Sequence, residues 1–256
     1  MPKRVMFALQ KGGVGKTTST AAVAEILAAT GHRVLVVDFD SQGNATKILT
    51  GNSIYRYSGS TIMEAIEIGD ATPYVVTVRE NLDILPAEDH LATFSRYIYT
   101  TRVDRPYAVL RRLLEPLEAS YDYVFVDVGP SLGDHFVNAL VYADHIIIPV
   151  DLGELSMDAM IRFIEFVEET KKEGHTTADI IGILPTMRDG RSRHERENSE
   201  GIRAVYGDLV FQAEIRRRAK IKEMASSGVD IHDPSMEDYL SLTEEIIERT
   251  RGEDTQ

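Results

Sequence analysis

The chain has 256 residues, 43% of them hydrophobic, 27% charged and 7% aromatic, which is enough apolar material for a sizeable core and too much for global disorder. It contains no cysteine, and this removes disulfides, thiolate metal sites, cysteine nucleophiles and cysteine-ligated iron–sulfur clusters. With 28 Lys+Arg against 41 Asp+Glu the net charge is −13, which excludes a whole-surface coat on nucleic acid but leaves room for a local basic patch.

Short β-branched or aliphatic runs alternate with helical patterns along the chain. The first run, 4–9 (RVMFAL), precedes a Gly-rich turn and a helix over 16–30 that Gly31 closes. Runs at 33–38 (RVLVVD) and 82–85 (LDIL) read as strands, and 106–117 as a helix. Next come a strand at 123–127 (YVFVD), a helix at 132–142, a strand at 145–150 (HIIIPV) and a helix at 154–172 closed by Gly174. A strand at 180–184 (IIGIL) and a helix at 193–206 closed by Gly207 complete the alternation. Phe94, Tyr97 and Tyr99 are expected to cover the core. A C-terminal helix, about 235–250, is expected to pack on the body through Tyr239, Leu240, Leu242, Ile246 and Ile247. Runs apolar on both faces belong to a parallel sheet covered on each side. The predicted fold class is α/β: a single doubly wound, mostly parallel sheet with helices on both faces, with no linker dividing residues 1–256. The start, MPKRVMFALQ, offers a five-residue apolar run, short of the ~7–15 of a secretory signal or the ~18 of a membrane span, so a cytoplasmic chain is expected.

The first run leads into Gln10-Lys11-Gly12-Gly13-Val14-Gly15-Lys16-Thr17-Thr18 and an Ala-rich helix. Strand, Gly-rich turn, helix is the context in which backbone N–H groups converge on phosphate oxygens and a helix N-terminus adds partial positive charge. There Lys16 reaches the β- and γ-phosphates and the Thr17 hydroxyl ligates Mg²⁺. The loop departs from G-x-x-x-x-G-K-[ST]: Gln10 stands where the first Gly belongs, and Lys11 is an extra cation. Two further runs end in aspartate, one continuing through Asp38-Phe39-Asp40-Ser41-Gln42-Gly43, the other through Asp127-Val128-Gly129-Pro130. A carboxylate at a strand's C-terminal end, beside a phosphate loop, is placed for Mg²⁺ or water, and four apolar residues ending in Asp127 fit a Walker B strand. The alternative for Asp38 and Asp40 is that of acids capping the next helix.

The variant K-G-G-V-G-K-T-T at 11–18 resembles the deviant Walker A loop of the ParA/MinD family of dimerising ATPases. The resemblance continues through D-x-D-x-Q-G-N-A-T at 38–46, Asn138-Ala139-Leu140, Ala143-Asp144, the 146–150 run, 183–188 (ILPTMR) and 214–220 (EIRRRAK). It implies a P-loop ATPase with ATP and Mg²⁺ as cofactors and a homodimer that closes on ATP. Catalysis would fall to Lys16, to Asp40 orienting the attacking water, and to Lys11 reaching across the dimer to the partner's nucleotide. Lys11, Gly12, Gly13, Val14, Gly15, Lys16, Thr17 and Thr18 would hold the nucleotide, and Thr17, Asp40 and Asp127 the metal. Adenine would lie between Thr186-Met187 and a loop at Ile215 and Arg217, where Arg216 replaces the family's usual proline. The family more often has two prolines after the Walker B aspartate; Gly129 in place of the first is expected to loosen that turn.

Residues 216–222 (RRRAKIK) carry five cations in seven positions, with Arg188, Arg191, Arg193, Arg196 and Arg203 upstream. That polarity suits phosphate-backbone contacts, and without a base-reading motif such binding is sequence-independent. The resemblance implies that the ATP dimer binds nonspecific DNA through Arg188, Arg191, Arg193, Arg216, Arg217, Arg218, Lys220 and Lys222, which would place the protein on the nucleoid. A ParB-like partner protein would stimulate hydrolysis and release, partitioning a plasmid or chromosome. The alternative for these arginines is pairing with Glu195, Glu197 and Glu214. The tail over 235–256 has seven acids against Arg249 and Arg251, so an anionic lipid surface repels it, unlike the basic helix of MinD-type relatives, and no membrane partner is expected. About nine residues precede the loop, too few for an additional DNA-reading domain. Two other readings share the fold: the same ATPase cycle positioning a protein cargo (a microcompartment or a chemoreceptor cluster), and an ATP-dependent amide-forming or carboxylating enzyme. The seven histidines show no metal-ligand spacing, and His194-Glu195-Arg196-Glu197-Asn198 lacks the second His of a zinc-protease helix.

Overall fold

The computed structural model describes residues 1–189, 193–219, 223–224 and 228–251. Seven strands make one sheet: β1 (Lys3–Phe7), β2 (Val34–Phe39), β3 (Val76–Arg79), β4 (Leu82–Leu85), β5 (Tyr123–Val128), β6 (His145–Asp151) and β7 (Asp179–Thr186), in the order β3-β4-β2-β5-β1-β6-β7. Every neighbouring pair is parallel except β3 with β4. Successive strand residues feed opposite cores, as the pleat requires: Val5, Phe7, Val34 and Val36 point to one, Met6, Leu35, Val37 and Val126 to the other. The first core is roofed by α1 (Lys16–Ala29), α2 (Asn44–Thr50) and α9 (Glu237–Arg251). The second is covered by α3 (Ile62–Ile68), α4 (Phe94–Thr100), α5 (Val109–Leu114), α6 (Asp134–Tyr142) and α7 (Glu154–Lys172), with Ile202 of α8 (Arg193–Tyr206) added at its margin. This is the doubly wound α/β architecture expected from the alternation of runs.

α1 is buried over most of its circumference because it lies between the sheet and α9. The expected C-terminal helix is present, and its inner face is Tyr239, Leu242, Thr243, Ile246 and Thr250. The Tyr239 hydroxyl lies 3.5 Å from Ser19 Oγ, and Arg249 stacks 4.0 Å over the Phe211 ring while donating to the carbonyls of Ile181 and Leu209. Leu240 turns outward at 43% exposure, off the apolar stripe.

Four features depart from the expected elements. β3 is an edge strand of half-exposed residues, without the apolar run that marks its neighbours. α2, α3 and α4 are seven-residue helices, too short for a periodic signal and set by local chemistry; α3 is fixed by a capping box between Thr61 and Glu64. The helix expected over 106–117 is α-helical only from Val109 to Leu114, flanked by 3₁₀ turns at Pro106–Ala108 and Glu115–Ser120, because Pro106 and Pro116 carry no N–H for an i−4 bond. In α4, Phe94 and Ile98 face the core one turn apart, so Tyr99 emerges at 55% exposure instead of covering it. Among the described residues no helix is long and apolar enough to cross a membrane.

Gly182 on β7 lies under Phe211, where an added Cβ would sit 2.0 Å from a ring carbon of a fully buried side chain. Gly182→Ala should therefore destabilise the fold by about 3 kcal/mol through overpacking, measured as a lower denaturation midpoint at unchanged m-value. An unaltered midpoint would mean that the β7–Phe211 contact is looser than described.

Candidate functional site

Because β1, β2, β5, β6 and β7 run parallel, their C-terminal ends share one edge of the sheet, and the singled-out residues gather there. After β1 the chain turns through Gly13 (φ 77°) and Gly15 (φ 88°), left-handed values that glycine adopts without penalty. Gly15 caps α1 with no side-chain bond, and the first turn holds no acid, so the leading N–H groups of a 14-residue helix stay free for an anion. Lys16 is buried and donates to the carbonyls of Lys11 (2.8 Å) and Leu9 (3.3 Å) across its own loop. Burial lowers its pKa, and the charges of Asp127 and Asp40 oppose that shift.

Opposite the loop, β2 and β5 bring Asp38 and Asp127 side by side as register partners, both fully buried. Asp38 accepts from the Thr46 N–H (2.8 Å) and hydroxyl (2.7 Å); burial nonetheless pushes its pKa up to about 6. Among the described residues neither oxygen of Asp127 has a hydrogen-bond partner of normal geometry, the Thr17 hydroxyl being the donor nearby. Burial, and then repulsion from Asp38, hold its pKa well above the carboxylate range, against the Thr17 hydroxyl and Lys16 nearby. A buried carboxylate that lacks a partner beside a hydroxyl suits a hard, oxygen-seeking cation such as Mg²⁺.

Asp40 stands at the mouth, half-buried, accepting from the Gln42 N–H at 3.1 Å. Gly129 is what lets it lie against the end of β5: a Cβ there would be 3.2 Å from Asp40 Oδ2. Lys16, Thr17, Thr18, Asp40 and Gly129, together with Gly12, Gly13 and Gly15, line a cleft of about 270 Å³. Asn44, Ile48 and Pro130 also line it, and of these Asn44 lay in a segment the sequence marked without giving it a role. Gly43 (φ 59°) is sterically required, since a Cβ would meet Ile54 at 2.6 Å and the Ala87 carbonyl at 2.8 Å.

The remaining residues fall into three groups. Thr186 donates to the Val14 carbonyl (3.0 Å), and Met187, at φ 56°, reaches towards Gly15. Backbone bonds tie this segment to the other: Ile215 N to Pro185 O, Arg188 N to Ile215 O and Arg217 N to Arg188 O. Thr186, Met187, Ile215 and Arg217 are thus adjacent, although Ile215 is buried and offers only backbone. Lys11 does not enter the cleft; its Nζ is 3.1 Å from Asp151 Oδ2 and also donates to the buried hydroxyl of Ser156. Burial would raise the Asp151 pKa, but bonds from Ser156, the Gly153 N–H and Lys11 outweigh it and hold it below the usual range. Asp151 ends β6 as Asp127 nearly ends β5, so the apolar-run-then-Asp pattern was the signal for it, one residue past the expected strand.

The cationic cluster is largely engaged within the chain. Arg188 is 11% exposed and held between Glu214 (2.8 Å) and Glu195 (3.5 Å), which makes it first a scaffold residue. Arg203 also binds Glu214, and Arg216 grips Asp238 through two nitrogens with Glu237 3.3 Å away. Arg218 lies 4.0 Å from Asp238, and Arg193 makes an exposed i,i+4 pair with Glu197. Arg217 is exposed, with no carboxylate partner among the described residues. Arg191, Lys220 and Lys222 lie outside the described residues.

A family model described as an AAA domain matches residues 2–180. The chain is 34% identical over 254 residues to the sporulation initiation inhibitor protein Soj of Bacillus subtilis, covering 96% of this chain and 98% of Soj. It is 33% identical over 261 residues to the chromosome partitioning protein ParA of Caulobacter vibrioides, covering 98% and 96%. Its fold is similar to a putative plasmid partition protein from Borrelia burgdorferi crystallised with AMPPNP, with a TM-score of 0.84, 24% identity and coverage of 97% and 100%.

The buried aspartates carry a pH signature. A carboxyl whose folded pKa is raised stabilises the fold while protonated, and that stability is lost as pH climbs from the ordinary 3.8 towards and past the folded value, about 6 for Asp38. Asp127→Asn should therefore stabilise the nucleotide-free protein at pH 7.5 by on the order of 1 kcal/mol, the gain shrinking as pH falls towards 4. Paired urea titrations at the two pH values measure this, and a destabilised D127N at pH 7.5 would contradict the electrostatics described.

Proposed function

The chain belongs to the AAA-domain family and, within it, to the Soj/ParA partitioning ATPases; from that membership we propose that it is a Mg²⁺-dependent ATPase that closes into a homodimer on ATP, binds DNA without sequence preference, and is released when a ParB-like partner stimulates hydrolysis. The observation that carries this reading is the buried, partnerless Asp127 facing Thr17 and Lys16 across a glycine loop. The free N–H groups of the loop and of α1 cradle the phosphates, with Lys16 between the β- and γ-positions. Thr17 and Asp127 would hold Mg²⁺, which would supply positive charge against the charge developing on the phosphate oxygens. Asp40, at the mouth and hydrogen-bonded to its own turn, orients the attacking water. Thr186 and Met187, flanked by Pro185 and Arg188 whose backbone bonds reach Ile215 and Arg217, border the adenine.

Lys11 is the residue that makes two chains interdependent. In one chain it rests on Asp151 and Ser156; in the dimer it leaves them for the partner's triphosphate, where a fixed cation stabilises the transferring phosphoryl group. DNA contact falls first to Arg217, which has no fixed acidic partner among the described residues, then to the exposed Arg193 and the lysines at 220 and 222, and dimerisation doubles the number of phosphate contacts. A plasmid or chromosome is the cargo, and the protein works in the cytoplasm on the nucleoid.

With Mg²⁺ and a non-hydrolysable ATP analogue, the wild type should elute as a dimer and Lys11→Ala as a monomer that still binds the analogue. Asp40→Ala should keep the dimer but lower turnover at least ~10²-fold. A dimeric K11A, or an active D40A, would overturn the assigned roles. Replacing Arg193 and Arg217 together by Glu should leave ATP binding intact and abolish the ATP-dependent gel shift of a random-sequence duplex. A shift that persists would put the DNA surface elsewhere, and a wild type that shows none with ATP would favour a metabolic enzyme on this fold.

A further inference from the structure

Away from the phosphate loop, the chain gathers Glu64, Glu88 and His90, although no two of them share a spacing that marks a metal motif. Glu64 comes from the first turn of α3, and Glu88 and His90 from the segment after β4; one ligand atom of each lies within 4.8 Å of the others. Glu64 divides its carboxylate: Oε2 accepts from the Thr61 N–H (2.9 Å) and hydroxyl, while Oε1 faces His90 Nδ1 at 2.9 Å. Glu88 is the informative member. It is 8% exposed, it offers a carboxylate oxygen to this cluster, and among the described residues its side chain makes no hydrogen bond or ion pair. The charges acting on His90 are Glu64, Glu67 and Glu88, all negative. Two carboxylates facing one imidazole leave a local excess of negative charge that the imidazole alone does not neutralise.

We propose that Glu64, Glu88 and His90 form a binding site for a divalent transition metal of the Zn²⁺ class, distinct from the Mg²⁺ site. One imidazole and two carboxylates is a three-ligand set that Zn²⁺ accepts, the fourth position going to water. Metal–ligand lengths of ~2.0–2.2 Å place tetrahedral ligand atoms about 3.5 Å apart, so ligand atoms that already lie within 4.8 Å of one another need only a small closure to reach one ion. The Thr61 bonds fix the orientation of Glu64 from behind, the role outer hydrogen bonds play at metal sites. His90, with 40% of its side chain exposed, leaves the ion a way in. On binding, His90 Nδ1 gives up its proton or its bond to Glu64 and becomes a ligand.

The consequence reaches the nucleotide cleft. Pro86 O accepts from Ile62 N (2.8 Å), and Ala87 N donates to Thr46 Oγ1 (3.0 Å), the same hydroxyl that holds Asp38. A bound ion would pin the start of α3 to the segment that props Thr46, and so stiffen the support of Asp38.

The test uses untagged, metal-free full-length protein titrated calorimetrically with ZnCl₂ in millimolar Mg²⁺, with thermal melts alongside. We expect one saturable Zn²⁺ per chain and a raised Tm. His90→Ala, a change at a half-exposed position, and Glu88→Gln should each weaken binding at least tenfold and erase the Tm shift. Asp127→Asn should bind Zn²⁺ like the wild type. No saturable binding, binding unchanged in both H90A and E88Q, or binding lost in D127N would overturn the site.

Discussion

Two carboxylates buried side by side at the ends of adjacent strands set the terms for everything around them. Asp38 and Asp127 are register partners on β2 and β5, and both are fully buried. Parallel pairing fixes their separation, so the repulsion is built into the sheet and side-chain rotation cannot remove it. The chain meets part of the cost locally: Thr46 gives Asp38 two hydrogen bonds, and Lys16 brings a positive charge near Asp127. What remains is a site whose electrostatics are unbalanced in the absence of a cation. Such imbalance is ordinary where function and stability compete, and here it marks the edge of the sheet as the working edge.

Most of the fold could be read from the sequence because the central strands are apolar on both faces, and only a two-sided sheet explains such runs. β1, β2, β4, β5, β6 and β7 all overlap expected runs, whereas β3, four half-exposed residues paired only with β4, fully buries no face and so lacks one. The short helices escaped for a related reason. Seven residues hold two turns, and their limits depend on single contacts such as Thr61 with Glu64 and the left-handed Gly43, which a period cannot report. At the cleft, the loop and the two strand-end aspartates were legible because their chemistry is contiguous in sequence. Asp151 carried the same strand-end pattern, but its partnership and that of Ser156 with Lys11 were not legible, since they span 140 and 145 positions.

Charge composition shows the same limit more sharply. Five cations in seven positions look like an exposed basic face, and in part they are not one. Asp238 on α9 takes Arg216, and Glu214 takes both Arg188 and Arg203. These pairs clamp the segment bordering Thr186 and Met187 to α8 and α9, so the arginines act first as architecture. Partial burial of Glu214 favours protonation, but the arginines and Ser199 outweigh it and keep its pKa below the usual range, so the clamp persists through neutral pH. A count of cations therefore overstates the surface left for phosphate.

The Lys11–Asp151 contact is informative because it is weak. Each side chain is 29% exposed, and ion pairs this open to water contribute roughly 0–1 kcal/mol. Such a bond holds a flexible lysine in one place at little energetic cost to its release. A triphosphate carries several charges where Asp151 carries one, so any competition for the ammonium in a dry interface is one-sided. Had Lys11 been sealed from water together with its carboxylate, breaking the pair would leave a charge uncompensated at about 3–5 kcal/mol and the residue would be structural; Arg188, at 11% exposure between two carboxylates, lies closer to that limit. The difference in exposure between the two cations, 29% against 11%, is what separates a residue free to change partners from one that is not.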